Sequence, residues 1–166
     1  VDGCFAEYLV LPDRNVWRND PKLSPEVCAI QDPLGNAVHS VFATDCVGKT
    51  VAVFGMGPVG LLSVAVLKSI GAKKIIAVEK GNQYRMEMAA TVGATNVIDV
   101  DTEPDVTAAI RALSGGRGVD VSMEMAGFNS SVNNAIQSVR RGGEVPGGGW
   151  RSVGGRRCSW GRLPGR

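Results

Sequence analysis

The chain has 166 residues, 44% hydrophobic and 20% charged, with a formal net charge of +2. This suffices for one domain with a sizeable core, and the charge balance gives no reason to expect nucleic acid as a partner. No apolar run approaches the roughly 18 residues that cross a bilayer, and no charged segment followed by an apolar one marks a secretory leader.

In chain order, residues 5–11 (FAEYLVL) alternate loosely and predict a strand. Because Val1 is not Met and stands close before that strand, the true start is expected upstream. Residues 13–20 read as loop and 21–25 as a turn region. Ser24-Pro25-Glu26 reads as a helix start with Pro at the first position. Asp32-Pro33 repeats the device as an N-cap acid followed by Pro, with a helix over 34–43.

From Thr50 the pattern becomes regular. TVAVF (50–54) is a short continuous apolar run, as for a strand buried on both faces. A long apolar helix over 59–70 is stopped by Gly71. Strands follow at 74–78, 96–100 and 119–125, separated by helices at 83–91 and 105–113. A helix over 131–139 leads to Gly142-Gly143-Glu144-Val145, the start of a fifth strand. Strands alternating with helices of about ten residues predict βαβ units and a parallel sheet, with right-handed crossovers placing helices on both faces.

The last stretch, 146–166, breaks this pattern with seven Gly, five Arg and no acid. It is expected to be a disordered tail, since it cannot bury enough apolar surface to offset its ordering entropy. A shifted reading frame near Val145 is the expected origin of the change. Without the tail, residues 1–145 carry a net charge of −3. Cys4, Cys28, Cys46 and Cys158 form no CxxC pair and read as isolated reduced thiols of a cytoplasmic protein.

The chemistry centres on Gly55-Met56-Gly57-Pro58-Val59-Gly60. A lone GxGxxG is weak, but this one directly follows a buried strand and opens a helix. Gly55 permits the tight turn, Gly57 lets backbone approach a pyrophosphate, and Gly60 lets helix and strand pack closely. Pro58 and Val59 open the helix whose positive end would receive the phosphate charge. Glu79 ends the second strand, 19 residues beyond Gly60. There its carboxylate would accept the adenosine ribose hydroxyls and repel a 2′-phosphate, favouring NAD over NADP. Adjacent Lys80 would weaken that exclusion. Arg85 is a candidate over the adenine or ribose, and Gly127, after the fourth strand, is a candidate at the nicotinamide end. The plainer readings stay open: a solvated strand-end acid, a surface arginine, a turn glycine.

FAEYLVLP, DPLGNAVHS, the GKTVAVFGMGPVGLLSVAVLKSIGAKKIIAVE run, GGRGVDVSMEMAG and RRGGEV occur in this order. Together they resemble the zinc-dependent medium-chain alcohol dehydrogenases, from about Asp2 to Val145. The stretch from Ile30 to His39 resembles the L-threonine 3-dehydrogenases within that family. The resemblance implies a Rossmann domain over 31–145, a remnant of a GroES-like catalytic domain over 1–30, and a homotetramer. It also implies oxidation of L-threonine to 2-amino-3-oxobutyrate with hydride passed to NAD, zinc acting as Lewis acid. It puts Asp32 beside the catalytic zinc, a role compatible with helix capping, while His39 reads as a packing or surface residue. The family's main zinc ligands are expected before Val1, so the chain alone is expected not to oxidise alcohols. Two alternatives remain: another zinc-dependent polyol or alcohol dehydrogenase, and a non-catalytic NAD-binding module.

Overall fold

The computed structural model describes residues 6–146. The chain forms two compact units, Val1–Gln31 and Asp32–Arg166. The Arg/Gly-rich stretch from Gly147 onward lies outside the described residues, as do Cys4 and Cys158.

In the first unit, the strand expected at 5–11 is not made over its described residues. Tyr8 and Val10 stand almost fully in solvent. An alternating apolar run becomes a strand only where a partner edge takes up its N–H and C=O groups, and no described strand pairs with this one. A 3-10 turn covers Asp13–Asn15. Helix α1 (Pro25–Ala29) starts as expected: Ser24 Oγ accepts from the Val27 N–H at 3.4 Å, and Pro25 opens the first turn.

Helix α2 (Gln31–Phe42) begins three residues earlier than the sequence predicts. Asp32 is therefore not its N-cap. It lies in the first turn, where its Oδ2 accepts from Asn36 Nδ2 at 3.5 Å. Pro33 fits there because first-turn N–H groups have no acceptor within the helix.

The second unit is built on five parallel strands: β1 (Thr50–Phe54), β2 (Lys74–Glu79), β3 (Asn96–Asp99), β4 (Val119–Glu124) and β5 (Val139–Glu144). Their order is β3-β2-β1-β4-β5. Helices α3 (Pro58–Ser69), α4 (Gln83–Val92), α5 (Val106–Leu113) and α6 (Asn129–Ser138) make the crossovers. This is the doubly wound Rossmann arrangement that the alternation of elements predicted.

Side chains alternate across the sheet. Val51, Val53 and Met123 face one layer of core with Val64 and Leu67 of α3 and Ala89 of α4. Ala52, Phe54, Ile76 and Val78 face the other, with Ile110 of α5 and Ala135 of α6. Each fully buried aliphatic side chain contributes roughly 1.5–3 kcal/mol, which is why the strands read as unbroken apolar runs.

Strand β5 starts at Val139, three residues before the expected Gly142, and α6 starts two residues before the expected 131. Its pairing shifts register: Val119 faces Val139, but Val121 already faces Glu144. Arg140 anchors the irregular stretch, its Nε donating to Asp120 Oδ1 at 2.6 Å.

Strand order reverses at β1. The chain leaves β1 toward β2 on one side, and β4 fills its other edge. Ligands in such sheets bind beyond the carboxyl ends of the strands at this reversal. Among the described residues, no helix is long and apolar enough to cross a membrane.

Candidate functional site

The glycine turn occupies that crevice. Gly55 has φ +90°, and a β-carbon on it would stand 2.8 Å from Ala126 backbone atoms. Only glycine takes both that conformation and that approach. A β-carbon on Gly60 would meet the Gly55 carbonyl oxygen at 1.9 Å, so strand and helix pack backbone to backbone here. Gly57 differs: nothing lies within 4 Å of its missing β-carbon. It is the N-cap of α3, with exposed Pro58 at N1 and half-buried Val59 next. The space beside Gly57 is therefore open at the positive end of the helix, whose first-turn N–H groups have no acceptor within the helix. This geometry fits a phosphate group.

Glu79 ends β2 and is 8% exposed. Its Oε2 accepts from the Met56 N–H of the glycine turn, and Arg85 Nη1 lies 3.7 Å from Oε1. The acid and the turn, 23 residues apart in sequence, are thus held as one unit. Each carboxylate oxygen accepts more than one donor, so capacity remains for ribose hydroxyls. Arg85 sits in the first turn of α4, its N–H donating to the Asn82 cap. Lys80 is exposed, 3.9 Å from Asp101.

A cleft of about 230 Å³ opens here, lined among others by Gly55, Glu79, Lys80, Ala126, Phe128 and Ser131. Gly127 has φ +79° and lies between two lining residues. The structure thus brings Gly55, Glu79 and the Gly127 loop together.

Sequence reasoning missed Glu124. It is the last residue of β4, 6% exposed. Its Oε1 accepts from the N–H groups of Ala126 (2.8 Å) and Gly127 (2.9 Å) and from Ser131 Oγ (2.6 Å). The available signal was an acid inside the apolar run VSMEM, since a buried charge needs partners.

Asp32 is not gathered with other ligands. Among the described residues, no group of three or more His, Cys, Asp or Glu could hold a metal ion. They do not by themselves fit a zinc centre, which requires at least three protein ligands. Exposed His39 lies in the last turn of α2.

Comparison with known proteins gives the family. A family described as zinc-binding dehydrogenase matches residues 58–163. The chain belongs to the zinc-binding dehydrogenase family. An L-threonine 3-dehydrogenase from Bacillus licheniformis is 42% identical over 145 residues, covering 87% of this chain and 41% of that protein. Zinc dependent alcohol dehydrogenase 2 from Streptococcus pneumonia superposes with a TM-score of 0.78 at 29% identity, covering 87% of this chain and 42% of that one. A putative zinc-binding dehydrogenase from Sinorhizobium meliloti, bound to NADP, gives a TM-score of 0.75 at 30% identity over the same shares. The chain spans about two fifths of the length of the curated relatives it matches.

Proposed function

We propose that this chain binds NAD as the dinucleotide-binding part of an enzyme that oxidises L-threonine at its 3-hydroxyl. The observation that carries the reading is the joined turn and acid: Gly57 open at the start of α3, and Glu79 tied to Met56 beside it. Gly57 and the first turn of α3 would hold the pyrophosphate. Glu79 would accept the adenosine ribose hydroxyls, with Arg85 beside it over the ribose or adenine. The cleft is smaller than the roughly 300–1,000 Å³ of sites that enclose a whole drug-sized ligand, so it suits one end of a dinucleotide. Because Ala126 and Phe128 line the cleft together with Glu79, Gly127 belongs on this reading with the adenosine end. The sequence had suggested the nicotinamide end.

When bound, the nicotinamide ring supplies the hydride acceptor. The chain's own residues bind and orient: glycines admit the backbone, α3 offers its positive end, and Glu79 selects. A 2′-phosphate next to the Glu79 carboxylate would be repelled, while Lys80 and Arg85 soften that repulsion. NAD is therefore the preferred partner and NADP the weaker one.

L-threonine as substrate rests on the names of the curated relatives and on the stretch from Ile30 to His39. Asp32 as a neighbour of zinc, and a homotetramer, rest on the family resemblance.

Calorimetric titration of the chain with NAD and NADP tests the cofactor. Measurable NAD affinity that exceeds NADP affinity is expected; no uptake of either overturns the reading. NADH formation by the longer enzyme of which this chain is proposed to be a part, with zinc supplied, tests the substrate. A preference for butanediol or sorbitol over L-threonine would move the assignment to the polyol dehydrogenases.

A further inference from the structure

Glu124 faces an apolar surface. It pairs with Phe54 in the β1–β4 register, on the sheet face that carries Ala52 and Ile76 and packs with Ala135 of α6. A carboxylate there loses hydration and must be compensated by donors. The bonds described above supply compensation from two places. The N–H groups of Ala126 and Gly127 belong to the turn leaving β4, and Ser131 Oγ belongs to the first turn of α6. One oxygen thus ties the strand end, the turn and the helix start together.

That stapled segment forms one wall of the cleft. Ala126, Phe128, Ser130 and Ser131 all line it. Ala126 is also the residue whose backbone a β-carbon on Gly55 would strike. The position of the β4–α6 turn therefore sets how closely this wall approaches the glycine turn.

We propose that Glu124 is a positioning residue for the dinucleotide cleft, holding the β4–α6 turn in its ligand-ready place through Ala126, Gly127 and Ser131. The inference rests on the NAD-binding reading above and adds a residue to it. Preformed walls matter because ordering a loop at the moment of binding costs affinity.

The test is calorimetric titration of NAD into the wild-type chain and three variants, each with its melting temperature. Glu124→Met keeps the length and removes the acceptor; it should weaken NAD binding about tenfold. Glu124→Gln keeps an acceptor oxygen and should restore affinity to within about threefold of wild type. Ser131→Ala removes one of the three donors described above, at the half-buried helix start, and about threefold weaker binding with only a small fall in melting temperature is expected. It decides the matter if Glu124→Met does not fold. Variants that melt lower yet bind NAD as tightly as wild type would show a purely structural carboxylate and overturn the proposal. A wild-type chain that takes up no NAD removes the dinucleotide reading, and this inference with it.

Discussion

Gly60 and Gly55 are in direct backbone contact: a β-carbon on Gly60 would stand 1.9 Å from the Gly55 carbonyl oxygen. No side-chain rotation relieves such a clash, because the opposing atom is main chain. Gly60→Ala should therefore push α3 away from β1 and cost about 1–3 kcal/mol, the usual range for overpacking. Urea unfolding of the variant against wild type measures this. An unchanged midpoint would mean that the helix slides freely.

Gly57→Ala should behave in the opposite way. Nothing lies within 4 Å of the added carbon, and the backbone at Gly57 is ordinary, with φ −70°. Stability should stay within about 0.5 kcal/mol of wild type, while NAD affinity falls about tenfold, because the methyl group stands where phosphate would approach. Melting and titration on one sample separate the two effects.

Asp120 links three strands near the amino edge of the sheet. Its Oδ2 accepts from the Thr50 N–H of β1 at 2.9 Å, and its Oδ1 from Arg140 of β5. Burial raises its pKa, but the Arg140 hydrogen bond, the Thr50 N–H and the Arg140 and Lys49 charges outweigh burial and hold it below the usual carboxylate value. A folded pKa below the unfolded ~3.9 means stability that is present above pH ~4 and lost as pH falls through the folded value. Asp120→Asn should cost about 1 kcal/mol at neutral pH. The gap to wild type should close on acidification below pH ~4, as read from unfolding midpoints across pH.

Cys46 is buried, and its thiol donates to the Val41 carbonyl at 3.7 Å. Burial pushes its pKa up to about 11, with Lys49 opposing and Asp45 and Glu144 reinforcing the shift. The thiolate is the reactive form. At pH ~8, close to an ordinary thiol's ~8.5, iodoacetamide should leave the Cys46 peptide unlabelled in the folded chain while half-buried Cys28 reacts. Both should react in urea. Mass spectrometry of the digested chain provides the check.

The sheet was legible because it is fully covered. TVAVF and KIIAV are apolar on both faces, and glycines punctuate their ends, so period and boundary agree. That Gly55 and Gly57 follow β1 and Glu79 ends β2 was legible for the same reason, because both lie at ends of covered apolar runs. Strand β5 was read three residues late because Arg140, Arg141 and two glycines hide its start. It is held by an ion pair to Asp120, 20 residues away in sequence, which no local pattern reveals. At 5–11 the alternation was present, but a strand also needs a partner edge, and sequence does not display partners. Asp32-Pro33 misled because Pro fits several positions in a first turn. Glu124 escaped notice because its role depends on Ala126, Gly127 and Ser131 folding back onto it.

The strand order β3-β2-β1-β4-β5 also fixes a sequence of events during synthesis. β1 emerges first yet ends in the middle of the sheet. Its β2 neighbour follows promptly, but the Asp120 carboxylate that receives the Thr50 N–H lies 70 residues downstream. At a ribosomal pace of roughly 5–20 residues per second, one hydrogen-bonding edge of the central strand stays bare for several seconds. Throughout that interval the nascent chain offers other chains the template that β4 later covers.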